Sequence, residues 1–534
     1  MTSKDRQIFF NGKIFTANPN HPYASAMLIC DGVIEKVADE KEMMDYDGDR
    51  INLQGRRVLP GLIDAHLHPL WLAKATKQVA CTPPLVRSIE DMIQELRKQR
   101  IGQAPNNWIE GWGYDEGKLT DQRAPTRWDL DKVSQETPVV VTRTCTHIIS
   151  VNSAALNLAG ITESTENPPG GQIDKDLNGK PTGILRESAR YLVLDIMPEL
   201  SIEDSAALLA ELSPNLLKHG ITAITDLMCL REPIDYLELY KQARNQGLKQ
   251  RAVLYYIWDE IKKHPNLDKN TTCKEKAVHI GGIKLFADGS VSGRTAWVSE
   301  SFKGNDKGYG IATTSKEELV AAAQAAEQNA IQLVVHAMGD KAIDLIIDTF
   351  YDKKGWLTDL PSIRIEHAAM PTKETIRRAA KTNIAFVPQP IFIFAEIESY
   401  INNLGVDRTI QTYPFRSMLD AGIKVAFSSD APATAWSDPA NPFIAIKSAV
   451  TRTAYDGTDT GHEQRIDVHT AITLYTRLAQ EITGIPKIGQ LKEGYHADFI
   501  VLDRDIFNVN MEEIDRVIVD ETYMGGTLVY RRNR

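Results

Sequence analysis

Cysteine is scarce and scattered: five thiols in 534 residues (Cys30, Cys81, Cys145, Cys229, Cys273), never arranged as Cys-x-x-Cys. An odd, dispersed set excludes a disulfide framework and offers no thiolate metal site, so buried free thiols are expected. No stretch approaches the roughly 18 consecutive apolar residues of a membrane span, and the opening Met-Thr-Ser-Lys-Asp-Arg-Gln lacks a signal-peptide apolar block. A soluble, cytoplasmic protein with no membrane partner is expected. Basic runs are missing too: the net charge is −10, spread along the chain, which makes nucleic acid an unexpected partner. What is present is 43% apolar residues, enough for a sizeable core in more than one domain, so disorder is excluded as the main state.

The first fifty or so residues alternate in short pieces, Gln7 to Phe15, Ala26 to Ile29 and Val33 to Val37, with Asn11-Gly12 and Asp31-Gly32 read as hairpin turns. The C-terminus has the same style, with strands at Ala497 to Leu502, Val517 to Val519 and Gly525 to Tyr530. The two ends, residues 1–58 and 486–534, are expected to form one small β-sandwich domain.

Between them, residues 59–485 hold eight apolar runs ending in polar, chemically capable side chains: Leu62 to His68, Ile221 to Asp226, Arg251 to Ile257, Ile283 to Asp288, Leu333 to His336, Ile363 to His367, Ile384 to Gln389 and Val425 to Asp430. From the second onward they alternate with stretches of helical period, such as Lys316 to Asn329, Lys373 to Lys381 and Thr409 to Ala421. Eight such units predict an α/β fold, a (β/α)8 TIM-like barrel. The interval of about 70–205 is too long for one crossover and has its own strand-like pieces, Trp108 to Gly111 and Pro138 to Thr142. It reads as an insertion after barrel strand 1 that covers the barrel mouth.

In barrel enzymes the reacting groups come from the carboxyl ends of different strands. His66 and His68 close the first run, and alternation puts both imidazoles on one face, able to chelate one ion; alone, they are equally polar residues at a strand end. His336 closes the fifth run, His367 the sixth and Asp430 the eighth, although Asp430-Ala431-Pro432 is also a good helix-cap sequence. Lys284 lies inside the fourth run, where a cation is expensive to bury unless paired or chemically changed. It either snorkels to solvent or captures carbon dioxide as a carbamate that bridges two divalent cations. Imidazole and carboxylate ligands of this kind suit zinc.

The ordered set resembles the amidohydrolase superfamily: His-x-His on strand one, a carboxylated lysine on strand four, histidines on strands five and six, aspartate on strand eight. The segments Pro60 to His68, Lys284 to Ser290, His336 to Asp340 and Ser429 to Pro432 resemble its YtcJ-like branch, amidohydrolase family three, and the likeness spans nearly the whole chain. The closing Gly489 to Val501 is similar to the segment in which these enzymes return to their N-terminal β domain.

The resemblance implies one or two ions held by His66, His68, Lys284, His336, His367 and Asp430, and attack of a metal-activated hydroxide on a carbonyl. Asp430 would serve as general base and then acid toward the leaving nitrogen. Amide-type substrates follow: N-acyl amino acids, N-substituted formamides or cyclic amides, all small molecules. His147 and Arg186 match segments common in YtcJ-like sequences and are substrate-binding candidates. Arg294, on a glycine- and serine-rich loop after strand four, and Trp112, as a pocket wall, are two more. Two alternatives stand beside this reading: a mononuclear hydrolase of esters or carbamates, and a catalytically silent binding or regulatory protein on the same scaffold. Homodimerisation is left open.

Overall fold

Apolar runs without polar alternation suit strands covered on both faces, and seven of the eight runs form one parallel sheet. In chain order these are β1 (Leu62–Leu67), β2 (Ile221–Cys229), β3 (Arg251–Ile257), β4 (Val278–Phe286), β5 (Gln332–Ala337), β6 (Ile363–His367) and β7 (Ile384–Val387), each beside the next. The eighth run makes no regular strand. Val425 bridges Phe386 in parallel, and Asp430 N donates to His66 O at 2.7 Å, so this segment bonds to β7 on one side and β1 on the other. The sheet therefore curls round as a TIM-like barrel. Its interior is filled by Ile63, Ala65, Ala223, Val253, Val334, Ala385 and Val387. A φ of +55° at Asp430 lies outside the β region and ends the ladder there.

The computed structural model describes residues 6–101, 107–144, 148–304 and 306–533. Two compact units are distinguished, one of Met1–Pro69, Ala206–Asp430 and Ala440–Arg534, the other of Leu70–Ser205 and Ala431–Pro439. In the first unit, side-chain caps fix the starts of the outer helices: Ser315 accepts from Glu318 N ahead of Lys316–Gln328, and Thr372 from Thr375 N ahead of Lys373–Ala379. The helix expected over Thr409 to Ala421 is instead two short ones, Val406–Thr409 and Phe415–Asp420. Pro414 is the reason, since it lacks an N–H and bars the residue before it from the helical region; Tyr413 has φ +50°.

Both chain ends contribute to this unit. Arg57–Pro60 pairs antiparallel with Phe499–Leu502 in a six-stranded sheet, and a four-stranded sheet holds Arg6–Phe10, Ala26–Cys30, Val33–Ala38 and Asp49–Asn52. Phe9, Met27 and Ile29 from the smaller sheet share a buried cluster with Val58, Phe499 and Tyr523 from the larger. Asp31-Gly32 joins an antiparallel pair, whereas Asn11-Gly12 does not. There the chain passes from one sheet to the other, drawn across by Gly12 N donating to Ser25 O and Lys13 N to Arg56 O.

The second unit is built on a six-stranded sheet, ordered Gly171–Lys175, Pro181–Glu187, Ile148–Val151, Val139–Arg143, Ile109–Tyr114, Val79–Ala80. Its last three members run parallel, and helix Ile89–Arg100 packs Met92, Ile93 and Leu96 against Ile109, Val139 and Val141. Cys30, Cys81 and Cys229 are buried thiols, but Cys273 is only partly buried; Cys145 lies outside the described residues. Among the described residues no helix is long and apolar enough to cross a membrane.

Candidate metal centre

The carboxyl ends of β1, β4, β5, β6 and the eighth segment bring polar groups into one buried cluster. His66 and His68 are buried, and their Nε2 atoms stand 3.2 and 2.9 Å from Asp430 Oδ1. Asp64 ties the first and eighth segments together, its Oδ1 accepting from Ser429 N at 3.0 Å and His66 N at 3.3 Å. Burial raises the Asp64 carboxyl to about 6 against those bonds. At Asp430 burial also pushes upward, and positive charge at its side, on the imidazoles of His66 and His68 or on an ion between them, is what holds the carboxyl well below the usual range.

His336 and His367 complete the group, with ring centroids 4.4 Å apart, and the His367 ring is 5.0 Å from that of His66. Burial, then the Lys284 ammonium, pushes His336 down to about 4; burial and His336 hold His367 well below the ordinary histidine range. Both rings are neutral at neutral pH. Lys284 is 1% exposed, with its Nζ 5.1 Å over the Phe286 ring. Burial lowers it to about 8, against Glu366 and Asp430, which raise it.

Behind the cluster is a relay that the sequence reading missed. His66 Nδ1 donates to Glu366 Oε2 at 2.6 Å, and the buried guanidinium of Arg364 holds Glu366 at 3.0 and 3.1 Å. Arg364 in turn donates to Ala65 O and to the Tyr255 hydroxyl. The signal was there: Arg364 and Glu366 are charged residues two apart inside an apolar strand, hence on one face and expensive to bury singly. Alternation would turn His367 to the opposite face. Its φ of +69° breaks the alternation and returns the ring to the cluster. Asp288 was likewise given no role, yet it anchors the loops after β4 and β5 by accepting from Trp297, Met338 and Gly339 N–H groups.

The donor set suits a divalent ion. His66 uses Nδ1 on Glu366, His336 uses Nε2 on Gly289 O at 2.9 Å, and His367 uses Nδ1 on Gln389 Oε1 at 2.7 Å. Such outer partners fix the tautomer and leave the other nitrogen as a lone pair. His66 Nε2 and Asp430 Oδ1 are then two acceptors facing each other, and the buried Oδ1 has no hydrogen-bond partner. Two ligand atoms each 2.0–2.2 Å from a shared ion lie about 2.8–3.6 Å apart at angles of about 90–110°, so a cation between them resolves the conflict. Ligand atoms of His66, His68 and Asp430 all lie within 4.8 Å of one another.

The remaining candidates are Arg186, Arg294, Trp112 and His147. Arg186, in the second unit, makes a two-pronged ion pair with Asp174 at 2.9 and 2.8 Å. Arg294 has φ +56° and donates from Nε to Asn403 Oδ1 at 2.6 Å, bracing the loop after β4. Trp112 lines a cavity of the second unit. His147 lies outside the described residues.

A curled parallel sheet with four histidines, an aspartate and a lysine toward its strand ends has the layout of a barrel enzyme. The chain belongs to the amidohydrolase family, whose profile matches residues 49–530. It is 30% identical to the YtcJ protein of Bacillus subtilis over 542 residues, covering 99% of this chain and 100% of that one. It is 27% identical to the N-substituted formamide deformylase of Arthrobacter pascens, covering 100% of this chain and 99% of the other. Among solved structures, an uncharacterized metal-dependent hydrolase from Pyrococcus horikoshii OT3 superposes with a TM-score of 0.76 at 25% identity, over 95% of this chain and 99% of that one.

Proposed function

We propose that the protein hydrolyses an amide-type carbon–nitrogen bond of a small molecule at a divalent-ion centre. His66, His68, His336, His367, Asp430 and Lys284 would hold one or two ions, with Lys284 as its carbamate where two are bound and zinc favoured by the ligand types. When bound, such an ion lowers the pKa of a coordinated water to about 7 and polarises the carbonyl. Asp430, ionised beside the imidazoles, accepts the proton of the attacking water and returns it to the leaving nitrogen. Glu366 keeps the His66 lone pair pointed inward. The relative from Arthrobacter pascens is named for deformylating N-substituted formamides, which supports carbon–nitrogen cleavage and keeps such formamides beside N-acyl amino acids and cyclic amides as candidate substrates.

The observation that carries this reading is the buried confrontation of Asp430 Oδ1 with the Nε2 atoms of His66 and His68. We also read residues 1–58 and 486–534 as one β-sandwich domain and 59–485 as the barrel with its insertion at about 70–205. Elemental analysis of protein purified without chelators, with bicarbonate present, tests the centre. About two ions per chain support the Lys284-bridged form, about one supports a mononuclear hydrolase with unmodified Lys284, and none after reconstitution overturns the reading.

A further inference from the structure

The second unit contains a cavity of about 180 Å³ whose walls include Trp71, Lys74, Gln78, Trp112, Thr142 and Arg143. We propose that it is a binding pocket for one flat apolar ring carrying a carboxylate, a class that includes N-acylated aromatic amino acids if the hydrolase reading above holds. Its place in the fold is the first argument. Trp112, Thr142 and Arg143 stand at the carboxyl ends of Ile109–Tyr114 and Val139–Arg143, which run parallel, and α/β sheets bind ligands outside the carboxyl ends of parallel strands. At Gly113, φ +83° and a register shift between Trp112 and Tyr114 break the ladder. The Trp112 indole is held in place by Nε1 donating to Ala75 O at 3.2 Å, while Trp71 remains 39% exposed.

Charge selects the ligand. Arg143 is already compensated, with Glu116 at 2.9 Å and Asp115 at 3.6 Å, and Gln78 donates to Glu110 at 2.7 Å. Among the described residues the Lys74 ammonium has no hydrogen bond or ion pair, and Glu110 acts on it only through space. Two indoles beside one uncommitted cation suit an aromatic carboxylate. The volume is below the roughly 300–1,000 Å³ of drug-sized sites, which fits a single ring and not a polymer.

The test is calorimetric binding of 3-phenylpropionate to the full, ion-loaded chain, with uncharged 3-phenylpropanol as the comparison ligand. Lys74→Gln, a change at an exposed residue, is expected to weaken the carboxylate about fivefold, the worth of a partly exposed ion pair, and to leave the alcohol unchanged. Trp112→Ala is expected to weaken both ligands. No binding, or an affinity insensitive to both substitutions, overturns the pocket. Binding needs no turnover, so the two readings separate. Lys74-dependent binding to a chain that retains no ion after reconstitution keeps the pocket and removes the hydrolase, whereas hydrolysis of aliphatic amides with no 3-phenylpropionate binding does the reverse.

Discussion

Replacing Glu366 with Gln is expected to weaken ion binding and the fold together. The carboxylate has two tasks: Oε2 accepts the His66 Nδ1 proton at 2.6 Å, and both oxygens compensate Arg364, with neither residue exposed. Gln keeps the shape and one acceptor but removes the charge, leaving a buried guanidinium without its counter-ion. Breaking one partner of a buried pair costs about 3–5 kcal/mol, and loosening the group behind a ligand histidine costs about 10- to 100-fold in metal affinity. Urea unfolding followed by intrinsic fluorescence reads the first, and zinc titration against a competing chelator reads the second. The double variant R364Q/E366Q removes both charges, so its stability loss is expected to fall short of the sum of the single losses by at least about 1 kcal/mol. A Glu366→Gln protein that unfolds within about 1 kcal/mol of the parent and binds zinc with parental affinity refutes the reasoning.

Asp430→Asn is expected to lower kcat by about 10²- to 10⁴-fold on any amide the parent hydrolyses, with ion content largely kept; unchanged turnover removes Asp430 as the proton carrier. Gly339→Ala is expected to cost about 1–3 kcal/mol in urea unfolding, because its Cβ would stand 2.0 Å from Trp297 O, and parental stability would mean the loop yields freely. His279 is buried and neutral, its pKa lowered by burial to about 4 from 6.5. Between those values the unfolded chain binds the extra proton, so His279 makes stability fall as pH drops from about 6.5 to 4, by up to about 3 kcal/mol in total. Unfolding across that window should show a shallower acid slope in His279→Gln, and equal slopes would count against the assignment.

The barrel was legible because its signal is repeated. Each apolar run carries the same message, continuous Val, Ile and Leu with a polar end, and chain order then orders the strands. The ligand candidates were legible because their positions, and not their identities, set them apart. What escaped depended on contacts between distant segments. Arg364 and Glu366 take their meaning from His66, some 300 residues away in the chain. Asn11-Gly12 has hairpin residues, but pairing is decided by partners at Ser25 and Arg56. The helical period over Thr409 to Ala421 is real, and one proline overrides it.

Backbone strain at the cluster links fold to chemistry. His367 and Asp430 have φ of +69° and +55°, a region that costs a residue with a Cβ about 1–2 kcal/mol. Neither relaxes, because its surroundings over-determine it. Asp430 N is bonded to His66 O while Ser429 N is held by Asp64; His367 is fixed through Gln389, which itself donates to Ser428 Oγ at 2.9 Å. Other residues also have positive φ, Arg294 and Tyr413 among them, but at His367 and Asp430 the strain falls on ligand candidates and is maintained by bonds across β1, β6 and the eighth segment, as in a pre-organised site. The barrel's closure at Asp430 thus has two consequences from one hydrogen bond: it joins the last segment to the first, and it points the carboxylate at the histidines of β1.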